Sequence, residues 1–461
     1  MRNVWNQIRE ALSGAAHDYT KGSVRKAIFL LAVPMILEMI WEGLFAVVDM
    51  FYVTRVGTDA VAIVGITETV ITLIYSLGIG FSMAATAMVA RRIGEKNPEA
   101  ASDAAIHALL VGFICSVVLG VLGVIFAKDI LVLMGTAPSV IASGLSYTRI
   151  IFGTNVVIML LFLLNGVFRG AGDAMLAMYA LMIANILNII LDPIFIFGFG
   201  PIPAMGVQGA AIATSIGRGI GVLFQLMILF RGVGLIRIAM HQFRIRLETI
   251  RSLLKISAGG IFQYLIASAS WIFLMRIVNE FGSEVTAGYV ISIRVIIFTI
   301  LPAWGISNAA ATLVGQNLGA GQADRAEESV WKTGYYNAAF LLSISVVLYA
   351  LAPYIIGIFT EEAVVLQTGI SSLRIFCVGY LAFSYGMVIS AAFNGAGDTF
   401  TPTLINFACF WCLQIPMAYV FALVLEWGPP GVFWSVAISE AVLAAVAIMI
   451  FRQGKWKKME V

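Results

Sequence analysis

The chain has 461 residues, 61% of them apolar and only 11% charged, with a formal net charge of +3. No soluble domain needs that much apolar surface, so composition selects a polytopic α-helical membrane protein. The near-neutral balance gives no reason to expect nucleic acid, and the chain has no GxxxxGK[ST] phosphate loop that would point to ATP. No Ser-His pair or His-rich metal cluster marks an enzyme, because His17, His107 and His241 are scattered.

Residues 1–23 lack the apolar core of a cleavable signal peptide. Val4, Trp5, Ile8 and Leu12 make a short apolar face with Arg2, Arg9 and Lys21 nearby, which predicts an amphipathic segment on the membrane surface or a frayed tail. Apolar runs then predict twelve spans, near 26–54, 60–90, 103–127, 143–168, 174–199, 207–231, 252–280, 284–314, 329–351, 369–393, 400–425 and 430–451.

Span 1 contains Glu38, Glu42 and Asp49, which fall at 0°, about 40° and about 20° around a helix. Charges in hydrocarbon cost several kcal/mol and usually face a protein interior or a water-filled cavity. Three on one stripe predict a cation or proton pathway, with a structural polar network as the alternative. Pro34 removes a backbone hydrogen bond beside this stripe and is expected to kink the helix.

Loops after even-numbered spans are basic: Arg91, Arg92 and Lys96; then Arg231, Arg237, Arg244, Arg246 and Arg251; then Arg452, Lys455, Lys457 and Lys458. Loops after odd-numbered spans carry little beyond Arg55 and Lys128. The positive-inside rule puts both termini in the cytoplasm, and the short tails suggest a plasma membrane. The four cysteines all lie in apolar runs, and Cys409 and Cys412 have no second ligand pair, so they are expected to pack in the core.

The chain also repeats. VFRGAGDAM at 167–175 matches AFNGAGDTF at 392–400, a shift of 225, and at the same shift IGFSMAATAMVARRIG at 79–94 matches WGISNAAATLVGQNLG at 304–319. Gly57 falls on Gly282 and Gly206 on Gly431. A duplicated six-span unit gives two bundles of the same orientation, related by a pseudo-two-fold along the membrane normal. The expected units are an N-terminal segment (1–23), an N-lobe (24–231), a basic linker (232–250), a C-lobe (251–452) and a basic tail (453–461). A cleft between two such bundles suits alternating access driven by an ion gradient.

With Pro34 and Asp49 in span 1, MVARRIGEKNPEAA after span 2, FRGAGD, LDPIFIFGFG in span 5 and FNGAGDT, the chain resembles the multidrug and toxic compound extrusion (MATE) family over residues 20–455. The LDP motif resembles the DinF-like branch. That resemblance implies a cation- or proton-coupling site at Asp49, Tyr147, Asn188, Asp192 and Thr214, and a substrate cavity touching Glu42 and Asn165. Helical spacing agrees in part, since Asn188 and Asp192 are one turn apart on one face. Competing readings are a helix-end cap before Pro193 for Asp192, interhelical bonding for Asn188, an interfacial anchor for Tyr147 and back-bonding for Thr214.

Glu38, Met35 and Trp41 are expected to join the cavity wall, as do Met39 and Phe162. Phe45 stands where the branch often has Tyr, and Glu42 where an amide is usual, so the cavity is more acidic and suits cationic substrates. The C-lobe positions matching Asp49 and Asp192 are Leu274 and Met417, which confines the polar site to one lobe. No cofactor is expected; the coupling ion is H+ or Na+, the latter on oxygens of Asp49, Asp192, Asn188 and Thr214.

The expected function is a secondary active efflux transporter exchanging cationic or amphiphilic organic compounds for H+ or Na+, acting as a monomer in the bilayer. The alternatives are a lipid-linked oligosaccharide or lipid flippase, or a non-transporting membrane receptor. Glu68 and Arg294 lie at nearly matching places in the two repeats and are candidates for an interlobe charge contact; Arg218 and Glu440 are intramembrane charges with no role beyond local pairing.

Overall fold

The computed structural model describes residues 2–14, 17–232, 234–238 and 245–461. His241 and Arg244, together with much of the expected linker, fall outside the described residues. The described residues are helical apart from short connections and one isolated bridge between Phe199 and Ile202. A surface helix α1 (Arg2–Ala11) precedes α2 (Val24–Val53), α3 (Thr58–Gly94), α4 (Pro98–Ile125), α5 (Ala127–Leu133), α6 (Pro138–Gly153), α7 (Asn155–Ala171), α8 (Ala174–Phe197) and α9 (Val207–Arg231). The second half holds α10 (Leu247–Asn279), α11 (Ser283–Gly319), α12 (Ala323–Gly357), α13 (Ala363–Ala396), α14 (Phe400–Val424) and α15 (Pro429–Arg452).

Eleven of these helices are long and apolar enough to cross a membrane, and α6 with α7 makes a twelfth span bent by 41°. The spans run beyond the expected limits at the basic end, where α3 continues to Gly94 and α10 starts at Leu247. The strongest bend between helices was not anticipated. It lies at Thr154, whose hydroxyl turns back to the Ile150 carbonyl and meets Ser215 of α9 at 2.7 Å. Such back-bonding competes with the helical ladder and bends it. Helix α2 runs unbroken through Pro34, which is buried.

The GAGD repeat has a local reason. Gly172 and Gly397 end α7 and α13 with φ of +92° and +89°, a conformation that costs a side-chain residue and suits glycine. The aspartates that follow differ. Asp398 caps the next helix by accepting from the Thr401 N–H and hydroxyl. Asp173 instead lies 3.4 Å from the Leu235 N–H, anchoring the linker. Burial raises the Asp173 carboxyl to about 6. The other linker anchor is His107, buried in α4: its Nδ1–H donates to the Asp103 carbonyl, and its Nε2 accepts from the Arg246 N–H at 2.9 Å.

The two six-span lobes meet at the end that carries the basic segments. Their contacts obey the repeat. Gly94 of α3 packs on the Gln316 carbonyl of α11, and the matching Gly319 packs on the matching Arg91 carbonyl. A Cβ would come to 2.0 Å and 2.1 Å of those oxygens, so only glycine fits. Likewise Gly80 of α3 abuts Ser257 and Ile261 of α10, and its counterpart Gly305 abuts Met35 and Ile36 of α2. The pseudo-two-fold therefore runs between α3 and α11.

Every interlobe hydrogen bond among the described residues lies at this end. Thr312 donates to the Arg169 carbonyl, Gln316 to Gly170, Arg91 to Met459 and Arg92 to Val461. Residues 18–22 add a strap, held by Arg325 of α12 through Tyr19, Lys21 and Gly22, and by Lys96 through Asp18. At the other end the lobes part. Glu68 and Arg294 are exposed there and form no ion pair among the described residues, so the expected charge contact is absent in this conformation.

One pairing of the repeat needs correction. Gly206 caps the start of α9, and the glycine doing so for α15 is Gly428, not Gly431. Gly431 matches Gly209, each packed on the backbone of the preceding helix, at Phe421 and Phe195 respectively. The shift falls because nine residues (198–206) join α8 to α9 but only four (425–428) join α14 to α15; the π-helical turns of α14 over Phe407–Gln414 and Val420–Val424 move the register the other way.

Replacing Gly319 by Val forces α3 and α11 apart, at an overpacking cost of about 1–3 kcal/mol. In a variant with the native cysteines removed, maleimide labelling of Ala309→Cys, which is fully buried at this junction, should rise several-fold when Gly319→Val is added. Unchanged labelling would contradict the seal.

Candidate functional site

The site lies inside the N-lobe, where α2, α8 and α9 each turn a polar stripe inward. On α2 it is Glu38, Glu42 and Asp49; on α8, Asn185, Asn188 and Asp192; on α9, Thr214, Arg218 and Gln225. The α9 residues fall at 0°, about 40° and about 20°, the same spacing as the acids of α2. Helices α8 and α9 approach closely because Gly217 and Gly221 meet the backbone carbonyls of Ala184 and Ala180.

The stripes form two connected groups. In the group toward the open end, Asn188 donates to Asp192 Oδ1 at 3.1 Å and lies 3.3 Å from the Thr214 hydroxyl. Asp192 is fully buried, Asn188 nearly so, and Asp192 Oδ2 and Asn188 Oδ1 have no partner. Asp49 and Tyr147 are buried in the same region, with Glu68 and Tyr75 of α3 beside them. All five residues expected at the coupling site thus come together. Neither buried nor exposed groups here include three carboxylate, imidazole or thiol ligands that could hold a metal among the described residues. The oxygens of Asp49, Asp192, Asn188 and Thr214 are nonetheless the hard donors that a proton or an alkali cation uses.

In the group toward the closed end, Asn165 of α7 is the joint. Its amide donates to Glu38 Oε1 at 3.1 Å, and its carbonyl accepts from Gln225 at 2.7 Å. Arg169, one turn on, lies 3.8 Å from Glu38. Glu38 is only 1% exposed and Met35 is fully buried. Their expected place on an open cavity wall is therefore corrected. The lobe junction covers this level of α2, so Glu38 belongs to an internal polar network and Met35 to the interlobe core. Trp41 is half-buried, and its carbonyl accepts from Asn185 at 2.6 Å.

Glu42 sits between the groups, with its side chain 34% exposed. Arg218 reaches it from α9 at 3.3 Å and lies over the Phe45 ring at 4.6 Å. Arg169 and Gln225 are site residues that sequence reasoning missed, and Arg218 was noted there only as a locally paired charge; for Arg218 and Gln225 the periodic stripe on α9 was the available signal. At the C-lobe positions matching Asp49 and Asp192, Leu274 is fully buried and Met417 half-buried, both apolar. Buried polar groups in that lobe include the Ser439–Gln414 pair, Asn337, Gln263 and Glu440. Cys409 is buried, whereas Cys412 points outward rather than into the core.

Removing the Asn165 joint leaves Glu38 and Gln225 unsatisfied, at a cost of about 1–3 kcal/mol. Asn165→Ala should lower the thermal unfolding midpoint of detergent-solubilised protein, and a midpoint equal to wild type would show that the network carries no stability.

Comparison with known proteins agrees with this architecture. The MatE family profile matches residues 34–194 and again 260–420, one copy per lobe. The chain is 28% identical over 447 residues to the probable multidrug resistance protein YoeA of Bacillus subtilis, covering 96% of each chain. It is 25% identical over 448 residues to the probable multidrug resistance protein NorM of Thermotoga maritima, covering 95% of this chain and 94% of that one. Among solved structures, an outward-facing multidrug resistance MATE transporter of the MOP superfamily superposes with a TM-score of 0.89 at 27% identity, covering 96% of this chain and 98% of the other. The chain is therefore a multi-pass membrane protein that belongs to the MATE family of transporters.

Proposed function

We propose that the chain is a secondary active exporter that exchanges cationic or amphiphilic organic compounds for H+ or Na+ by alternating access. The observation that carries this reading is the arrangement of acids in one lobe: Asp49 and Asp192 are buried, while the Glu42 side chain is 34% exposed. Buried carboxylates bind a proton or a small cation readily because their charge is poorly solvated. Glu42 then offers a negative charge where a larger cation can reach it. The basic segments gathered at the sealed end support a cytoplasmic placement of that end and of both termini, with the cleft opening outward across a plasma membrane. The names of the relatives, multidrug resistance proteins, support the substrate class. The LDP sequence and the single polar lobe favour the DinF-like branch, acting as a monomer.

A lipid-linked flippase would want uncompensated positive charge for a diphosphate. Here Arg169 and Arg218 are each paired with an acid, at 3.8 Å and 3.3 Å.

Equilibrium binding of ethidium to purified protein between pH 5 and pH 8, with and without Na+, tests the reading. Protonation of the buried acids opposes binding of the organic cation, so wild-type affinity should fall as pH falls, by up to about tenfold per unit for each linked proton. A Na+-coupled site would instead show competition by Na+ at fixed pH. Asp49→Asn should flatten whichever dependence is found. Affinity independent of both ions in wild type would overturn the exchange reading.

A further inference from the structure

Arg218 is a deeply buried charge in the N-lobe that the coupling site does not require. It is 4% exposed, in the middle of a membrane-spanning helix. A structural arginine in such a place is expected to be fully satisfied, because its guanidinium has five donors in a fixed fork. This one is not. Its polar contact to an acid is one long bond, 3.3 Å to Glu42 Oε1, and its Nε has no partner.

Its position explains what the looseness allows. On α2, Glu42 and Asp49 are two turns apart on one face, with Phe45 between them. The guanidinium stacks on the Phe45 ring at 4.6 Å, a contact that favours the cation without fixing its rotation. Each acid is roughly 5 Å along the helix from that platform. Asp49 lies within electrostatic reach of Arg218. Arg218 also follows Thr214 by one turn on α9, and Thr214 is joined through Asn188 to Asp192. The other titratable groups facing it are Tyr75 and Glu68 of α3 and Tyr147 of α6.

We propose that Arg218 is a tethered cation that moves across Phe45 between Asp49 and Glu42, and so transmits the occupancy of the coupling site to the substrate acid. When Asp49 is charged and empty, the guanidinium is drawn to it and Glu42 is released to take an organic cation. When a proton or a small cation neutralises Asp49, the guanidinium returns to Glu42 and the organic cation is expelled. The pair at 3.3 Å is the second of these states. Arg218 acts through Asp49 and Glu42 and is a positioning residue. It gives the exchange its exclusivity, because one guanidinium cannot neutralise both acids at once. This inference rests on the exchange reading above.

The test is the pH dependence of ethidium and tetraphenylphosphonium binding to purified full-length protein, for wild type, Asp49→Asn, Arg218→Gln and the double variant Glu42→Gln/Arg218→Gln. Arg218→Gln should bind these cations more tightly than wild type at pH 5, where Glu42 is no longer capped, and should lose most of a slope that reaches up to about tenfold per unit in wild type. An arginine that only supports the fold would lower affinity at every pH and leave the slope. The double variant removes both charges together, so no uncompensated carboxylate remains if the single variant misfolds. It should bind weakly and without pH dependence. A wild-type slope in either Arg218 variant overturns the proposal. If Asp49→Asn keeps the wild-type slope, the exchange reading itself fails; if Asp49→Asn flattens it and Arg218→Gln does not, only the role of Arg218 fails.

Discussion

The N-lobe is organised by the problem of placing three acids on one face of a helix in the membrane. A carboxylate cut off from water must be neutralised, paired or reached by a cavity. The three positions on α2 meet that requirement in three ways. Glu38 is enclosed by Asn165 and Arg169. Glu42 stays partly exposed and pairs with Arg218. Asp49 is buried near Asp192 with no basic partner in ion-pair range among the described residues. Breaking a buried pair by removing one partner costs about 3–5 kcal/mol, so the arginines and amides of α7 and α9 are bound to the α2 stripe by stability as well as by function.

The second constraint is the close approach of the lobes. Glycines at matching positions bring backbones together at one end, and the pairs Gly94–Gln316 and Gly319–Arg91 repeat one contact about the pseudo-two-fold. The contact also holds an apolar core, with Leu31 and Met35 of α2 against Ile306, Ala309 and Leu313 of α11, and it is supplemented by hydrogen bonds to residues 18–22 and to Met459 and Val461. Symmetry of the seal contrasts with asymmetry of the interior. Glu38, Asp49 and Asp192 are buried in the N-lobe, whereas Glu440 is the buried acid of the C-lobe among the described residues.

Much of this was legible in the sequence. Duplication fixed the two-lobe architecture, because one shift aligned motifs across both halves. The acids of α2 and the pair Asn188 and Asp192 announced themselves by helical spacing. What was not legible has physical causes. Glu38 and Glu42 share a face, and only the lobe junction decides that one is enclosed while the other stays partly exposed. Arg218 and Gln225 lie on α9 with the same periodicity as the acids, yet each reads alone as an isolated polar residue. The bend at Thr154 depends on a hydroxyl contact to α9 that no local pattern encodes. The slip from Gly431 to Gly428 arises from the shorter connection between α14 and α15, which breaks a constant shift without breaking the fold.

The account stands on the claim that Asp49 and its neighbours exchange a small cation for an organic one. The most direct measurement is flux of a fluorescent organic cation in proteoliposomes under an imposed pH gradient, an imposed Na+ gradient, or neither, with wild type and Asp49→Asn in parallel. The account predicts uphill flux that follows one of the two gradients and is abolished in Asp49→Asn. Wild-type flux that ignores both gradients, or a variant that transports as wild type does, would contradict it and leave the buried acids as a structural network.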